Sequence, residues 1–292
     1  MANSGWTTTS ALSDSLDDIR VSARQVREYE GVVQNLVSKE PLGEGIGLTW
    51  QEIKYEKLTA QSITETTELD NPQQLADSII SITPSMVAIE TFITDRVQAR
   101  INKKGYAQIG SLAQHAIERK KDTDGLILFA SFTGTSDPGA GVTLASGYIA
   151  SAAANIRGNT TEPGKDPINC VLHPFQIHDL FNELVAGVGT VPITEGITAR
   201  VLQSGFDLPV ANCKIYPDGN ITIDSSDDAN GAVFAKDGVI LVQGKAPRVV
   251  SVRNEKRGGG GTHVYHYDEY AYGERLSNWN YLMCSDATAP TS

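Results

Sequence analysis

Residues 85–132 constrain this chain more than any other stretch, because they run a strand straight into a helix long enough to cross a whole domain. Ser85-Met-Val-Ala-Ile-Glu-Thr-Phe-Ile-Thr94 alternates with period two, Val87, Ile89 and Ile93 on one face and Glu90 on the other, beginning just after Pro84. Thr94 offers an N-cap hydroxyl and Asp95 an acidic first turn, which predicts a helix over residues 95–101 that Gly105 interrupts. From Tyr106 onward Ile109, Leu112, Ala113, Ala116 and Ile117 fall at helical spacing, and Leu126, Ile127 and Phe129 resume the apolar stripe. Between them Arg119 with Asp122 and Lys120 with Asp124 are spaced for exposed ion pairs. A helix of about 25 residues is about 35–40 Å long, and so reads as a spine.

The stretch before this spine cannot form a core. Residues 49–69 read as extended ribbon rich in Thr and Gln, with Ile53, Tyr55 and Ile63 on one side and Glu52, Lys54 and Glu56 on the other. Asp70-Asn-Pro72 turns the chain, and residues 73–85 return it to the spine. A long polar two-stranded ribbon is marginal alone in water, so it needs another surface, expected to be a second copy of the chain. Over residues 43–83 the acids Glu44, Glu52, Glu56, Glu65, Glu68, Asp70 and Asp77 outnumber the bases Lys54 and Lys57. At the start of the spine Arg96, Arg100, Lys103 and Lys104 reverse the sign. Such a pair of patches suits head-to-tail association, ribbon on neighbouring shoulder, although solvated faces carry the same pattern.

Upstream, residues 1–11 are small and polar, and Leu12, Leu16, Ile19, Ala23, Val26, Val33 and Val37 mark one helical face. Lys39-Glu-Pro-Leu-Gly-Glu-Gly-Ile-Gly47 separates that helix from the rest and predicts a detachable arm. Downstream of the glycine-rich crossing over residues 134–141, the texture alternates α and β. Leu144, Tyr148, Ala152 and Ile156 mark a helix. Residues 169–172 form a short buried strand, and Pro174 opens a helix carrying Ile177, Leu180, Phe181, Leu184 and Val185, closed by Gly187. Further strands are expected at residues 199–202, 212–216, 221–223 and 239–242. The tail returns to β, with strands over 248–253 and 262–272 joined by a glycine-rich tip and a last one over 278–284.

Composition removes several function classes. The chain has 292 residues, a net charge of −11 and a pI near 4.9, which argue against gripping nucleic acid as its main task. Cys170, Cys213 and Cys284 are odd in number and far apart, suggesting neither a disulfide framework nor a zinc site, and a reducing compartment. Neither a membrane-spanning run nor a signal peptide is indicated. No Ser sits in G-x-S-x-G, Gly43-Glu-Gly-Ile-Gly47 lacks the last glycine of a dinucleotide loop, and neither Gly164-Lys165 nor Gly244-Lys245 precedes Ser or Thr. His173 and His178 diverge on a helix, with His173 expected to cap it, and His263 and His266 face opposite sides of a strand. No catalytic, cofactor or metal residues are therefore assigned.

The succession of parts resembles the major capsid proteins of tailed bacteriophages, whose fold is shared with encapsulins and the herpesvirus capsid floor. The resemblance is carried by Thr49-Trp-Gln-Glu-Ile-Lys-Tyr-Glu-Lys-Leu and Thr66-Thr-Glu-Leu as the legs of an extended loop, and by residues 82–95 and 124–134 bounding the spine. Cys170-Val-Leu-His-Pro-Phe-Gln-Ile-His-Asp-Leu180 is similar to the strand, proline and helix of the family's axial domain. It implies an α+β shell fold: an N-terminal arm (1–42), an extended loop (43–83), a peripheral domain (84–133 and 245–292) and an axial domain (134–244). It further implies a non-enzymatic subunit forming hexamers and pentamers around double-stranded DNA in a virion assembled in the host bacterial cytoplasm. Its expected partners are further copies of itself, a separate scaffolding protein, a portal, a decoration protein and the packaged DNA. Inter-subunit contact is expected at Glu52, Glu56, Glu65, Glu68, Arg96, Arg100, Lys103 and Lys104. Two readings compete: an encapsulin-type compartment shell, and an α/β hydrolase or transferase with a scattered site.

Overall fold

The computed structural model describes residues 31–43, 45, 47–68, 72–100, 103–185, 209–256 and 259–290. The side chains of residues 103–110, 184 and 185 lie outside that description, as do most of the predicted arm helix and the strand expected at 199–202.

Helix α1 (Val33–Leu36) and strand β1 (Ser38–Pro41) come first, then the ribbon strands β2 (Trp50–Tyr55) and β3 (Asp77–Ile82). Strand β4 (Ser85–Thr94) runs into helix α2 (Asp95–Arg100) and the spine α3 (Lys103–Phe129), followed by the two-residue strand β5 (Gly134–Thr135). The Thr94 hydroxyl accepts the Val97 N–H, though at a long 3.4 Å. Gly105 does not interrupt the helix but lies inside the 27-residue spine, where surrounding helix formers outweigh the cost of about 1 kcal/mol for an interior glycine.

Next come α4 (Ser146–Gly158), β6 (Ile168–Leu172), α5 (Pro174–Val185), β7 (Cys213–Pro217), β8 (Asp228–Ala235), β9 (Val239–Gln243), β10 (Arg248–Asn254), β11 (Gly261–Glu274) and β12 (Asn280–Asp286). Residues 221–223 form no strand; only Ile223 makes a single bridge, to Ala229. The central strand β8 went unexpected because Asp-Ala-Asn-Gly-Ala-Val-Phe-Ala lacks β-branched alternation. Its Gly231 is required for packing, since a Cβ there would meet Leu172 Cδ2 and Val171 O at 2.6 Å.

Two sheets result. In the first, β11 is the organiser: its first part lies between β4 and β10, both antiparallel to it, and its last part pairs with β9, which pairs parallel with β1. The second runs β5-β12-β8-β6-β7. The spine packs on the first sheet, where Lys121 Nζ meets Asp268 Oδ2 at 3.1 Å and the Tyr270 hydroxyl donates to Asp124 Oδ2 at 2.9 Å. Burial first, then that carboxylate, push the Tyr270 hydroxyl far above its ordinary pKa and keep it a donor. The end of the spine then joins the sheets through one core, in which Leu126 and Phe129 meet Val33, Leu36, Val171, Phe234, Val239 and Leu241. A second core seats Ile149, Ala152, Ala153 and Ile156 of α4 and Leu180 of α5 on Ile168, Cys170, Val233 and Met283.

Two local expectations change. The root of the arm is not detachable: Val33, Leu36 and Val37 are buried, and β1 is hydrogen-bonded to β9. Its helix also ends at Leu36, because Val37 is already extended. Asp122 forms no exposed pair with Arg119; it is fully buried and accepts the Val33 N–H. Lys120 and Asp124 do pair as spaced.

Candidate inter-subunit surface

The ribbon begins in the body and leaves it. Trp50 and Ile82, directly opposite each other at its base, pack against Ile240 and Val242, and the Thr49 and Thr83 hydroxyls bond at 2.9 Å. From there β2 and β3 run antiparallel, with Ile53 opposite Ile79 and Tyr55 opposite Asp77. Beyond Tyr55 one further bond, Glu56 N–H to Ala76 O at 3.0 Å, extends the ladder, and Thr59 N–H donates to Gln73 Oε1 at 2.9 Å.

Period-two alternation gives this hairpin two unlike faces, and the charged one lies on the chain's own body. Glu52 accepts from Arg275 Nε at 2.8 Å, Lys54 Nζ meets Glu162 Oε2 at 2.6 Å, and Lys57 Nζ donates to Thr160 O at 3.0 Å. The apolar face points to water: Ile53 is 52% exposed, Tyr55 71% and Ile79 59%. Leu58, Ile63 and Leu75 further along are also exposed. This inverts the usual arrangement, in which the apolar face is covered and the charged face solvated. The expectation that a second copy alone supports the hairpin is thereby corrected: polar contacts within the chain hold its charged face, while its apolar face stays uncovered.

The expected contact residues divide accordingly. Glu52 is occupied by Arg275, whereas Glu56, Glu65 and Glu68 are exposed. On the basic shoulder, Arg96 and Arg100 are exposed on α2; Lys103 and Lys104 open the spine with side chains outside the described residues. Asp95, beside them, pairs with Arg253 at 2.7 Å. The apolar contribution of Ile53, Tyr55 and Ile79 was missed as a site, although the side on which Ile53 and Tyr55 sit is readable from spacing.

A second, partly exposed surface is the face of the first sheet turned away from Asp268 and Tyr270. There Tyr265 and Tyr267 stack with centroids 5.9 Å apart and Arg248 lies 5.0 Å over the Tyr267 ring. Met86 and Val252 on the flanking strands are exposed. The two tyrosines thus pair within the sheet.

Among the described residues the titratable side chains of α5 have structural roles. His173 caps α5, its Nδ1 accepting the Phe175 N–H at 3.2 Å, and burial lowers its pKa, which keeps the ring neutral. No group of three metal-ligating side chains gathers among the described residues, and none of their helices is long and apolar enough to cross a membrane.

No family model matches the sequence, and no curated protein matches it. Solved structures do. The capsid of cyanophage P-SCSP1u superposes with a TM-score of 0.70 at 13% identity, covering 91% of each chain. The capsid of Ralstonia phage GP4 gives 0.69 at 13% identity, over 98% of this chain and 100% of that one. The mature capsid of bacteriophage PhiM1 gives 0.64 at 12% identity, over 99% and 98%. The fold is the phage major-capsid fold. It covers the chain nearly end to end, so the ribbon, spine and both sheets all belong to the phage capsid fold rather than to an insertion in some other one.

Proposed function

We propose that this chain is the structural, non-enzymatic subunit of an icosahedral viral shell. The observation that carries the reading is the hairpin whose apolar face is bare while its charged face is tied down. A monomer gains nothing from presenting Ile53, Tyr55 and Ile79 to water, whereas a neighbouring copy covers them. The receiving surface is the sheet face that carries exposed Met86 and half-buried Tyr267, with exposed Arg96 and Arg100 on the helix after β4 to meet Glu56, Glu65 and Glu68. A loop received on one side and given on the other closes into rings, here hexamers and pentamers. In this reading residues 1–42 are the arm, 43–83 the loop, 84–133 with 245–292 the peripheral domain, and 134–244 the axial domain.

The contents are double-stranded DNA, held without adhesion by a wall carrying net negative charge. The shell forms in the bacterial cytoplasm with a separate scaffolding protein and a portal, and a decoration protein is its outer partner. Sedimentation and electron microscopy of the purified chain, with and without scaffold, test the proposal. Closed particles are expected; a chain that stays monomeric or dimeric under every assembly condition overturns it.

A further inference from the structure

Two aspartates from distant segments meet inside the molecule. Asp122 of the spine is 0% exposed and Asp218, in the turn after β7, is 1% exposed. Asp122 Oδ1 accepts the Val33 N–H at 3.1 Å, and its Oδ2 accepts Asn220 Nδ2 at 2.9 Å. Asp218 Oδ1 accepts the Asn220 N–H at 2.9 Å, and its own N–H is fixed by Leu172 O at 2.9 Å. Its Oδ2 is buried with no hydrogen-bond partner, and Asn220 joins the two carboxyls, its backbone N–H on Asp218 and its side-chain amide on Asp122. Gly31 closes the site from the arm, since a Cβ there would stand 2.5 Å from Asp122 Cβ and Cγ.

Among the described residues the surroundings supply little compensating charge. From β11 come the Tyr272 hydroxyl, buried and without a partner, and Asp268, which already holds Lys121 at 3.1 Å. On the spine, Asp124 pairs with Lys120, and Arg119 is exposed one turn before Asp122. The hydrogen-bond donors to the two carboxyls among the described residues are neutral amides. Two carboxylates joined through one residue and held out of water resist ionising together.

We propose that Asp122 and Asp218 share one proton, and that this acid-to-carboxylate bond latches the root of the arm, the spine and the 217–220 turn together until the proton leaves. Burial, then the neighbouring Asp122, push the Asp218 carboxyl up to about 7, so the latch is closed in mild acid and opens in mild alkali. Opening leaves two like charges against Val33 and Asn220, at the point where the arm enters the core. The latch belongs to the single chain and does not rest on the shell reading.

Hydrogen exchange of the full chain between about pH 5.5 and about pH 8.5, corrected for intrinsic rate, tests it. The amides of Val33 and Asn220 are expected to lose about tenfold or more in protection across that range. Asp218→Asn, whose amide donates to Asp122 at every pH, is expected to show a flat profile. Identical profiles in wild type and variant overturn the proposal. Should the variant not fold, carbon-13 NMR of labelled aspartates in the wild-type chain decides. A carboxyl titrating near neutrality supports the shared proton, and titration of every one below about pH 5 refutes it. Protection at alkaline pH that calcium restores and a chelator removes also refutes it, because the pair then holds a cation.

Discussion

Replacing Ile53, Tyr55 and Ile79 together by serine separates assembly from folding more sharply than any other change. All three side chains are more than half exposed in the single chain, so the substitutions remove little buried apolar area, and polar contacts hold the hairpin's other face. Complete burial of a large apolar side chain is worth about 1.5–3 kcal/mol, and roughly half of that remains to be gained at each position. The set therefore contributes on the order of 3 kcal/mol per subunit contact, or roughly a hundredfold in each pairwise association constant. In the proposed ring every subunit gives one loop and receives one, so the loss recurs at each contact. The expected outcome is an unchanged melting temperature of the unassembled subunit, with the concentration needed for particles raised by about two orders of magnitude, followed by sedimentation velocity. Assembly at the wild-type concentration would show that this face is not where copies meet. A large drop in melting temperature would show that the chain covers it internally.

The remaining predictions address charge, packing and pH. Glu56, Glu65 and Glu68 replaced by Lys block particle formation while circular dichroism stays native; adding Glu52→Lys also breaks the Arg275 bond and loosens the hairpin base, seen as faster proteolysis near residue 57. Gly231→Ala drives a methyl into Leu172 and Val171 and lowers stability by about 1–3 kcal/mol in denaturant titrations, a loss that does not depend on assembly. Asp268→Ala strands the buried Lys121 ammonium and costs about 3–5 kcal/mol, whereas Lys121→Met with Asp268→Leu recovers most of it. For pH the sign follows from Asp218, raised from 3.8 to about 7 in the folded chain. Between those values the folded state binds the extra proton, so its stabilisation is fully present below about pH 4 and is lost as pH rises through about 7, at up to about 1.4 kcal/mol per pH unit. The stability of Asp218→Asn relative to wild type therefore increases from about pH 4 to about pH 7, read from paired melts.

The spine and the ribbon were legible for the same reason: each follows one period over a long window, 3.6 in residues 103–129 and two in residues 50–55 and 85–94. Local chemistry sufficed too for Pro174 opening α5 and His173 capping it. What did not follow from the chain was decided between segments. Strand β8 is built of small residues because Leu172 and Val171 press on it, a demand that exists only after β6 lies beside it. The arm root is fixed by β9, some two hundred residues away, and no composition signal reports such pairing.

The ribbon shows how far periodicity reaches. Alternation placed Ile53 and Tyr55 on one side and Glu52 and Lys54 on the other, and the faces are divided that way. It could not say which face the body takes, because that depends on Arg275 and Glu162 arriving from distant parts of the sequence. Had the body taken the apolar face, the hairpin would be finished within one chain, and its acids would be ordinary solvated charges. With Arg275 and Glu162 on the charged face, the hydrophobic term is left unsatisfied in the monomer and available between copies. The two ion pairs are half-exposed and individually worth about 1 kcal/mol or less, so they orient the loop more than they stabilise it. An oriented loop has already lost the freedom that docking would otherwise cost, so under the proposed assembly a modest apolar patch suffices for a repeated contact.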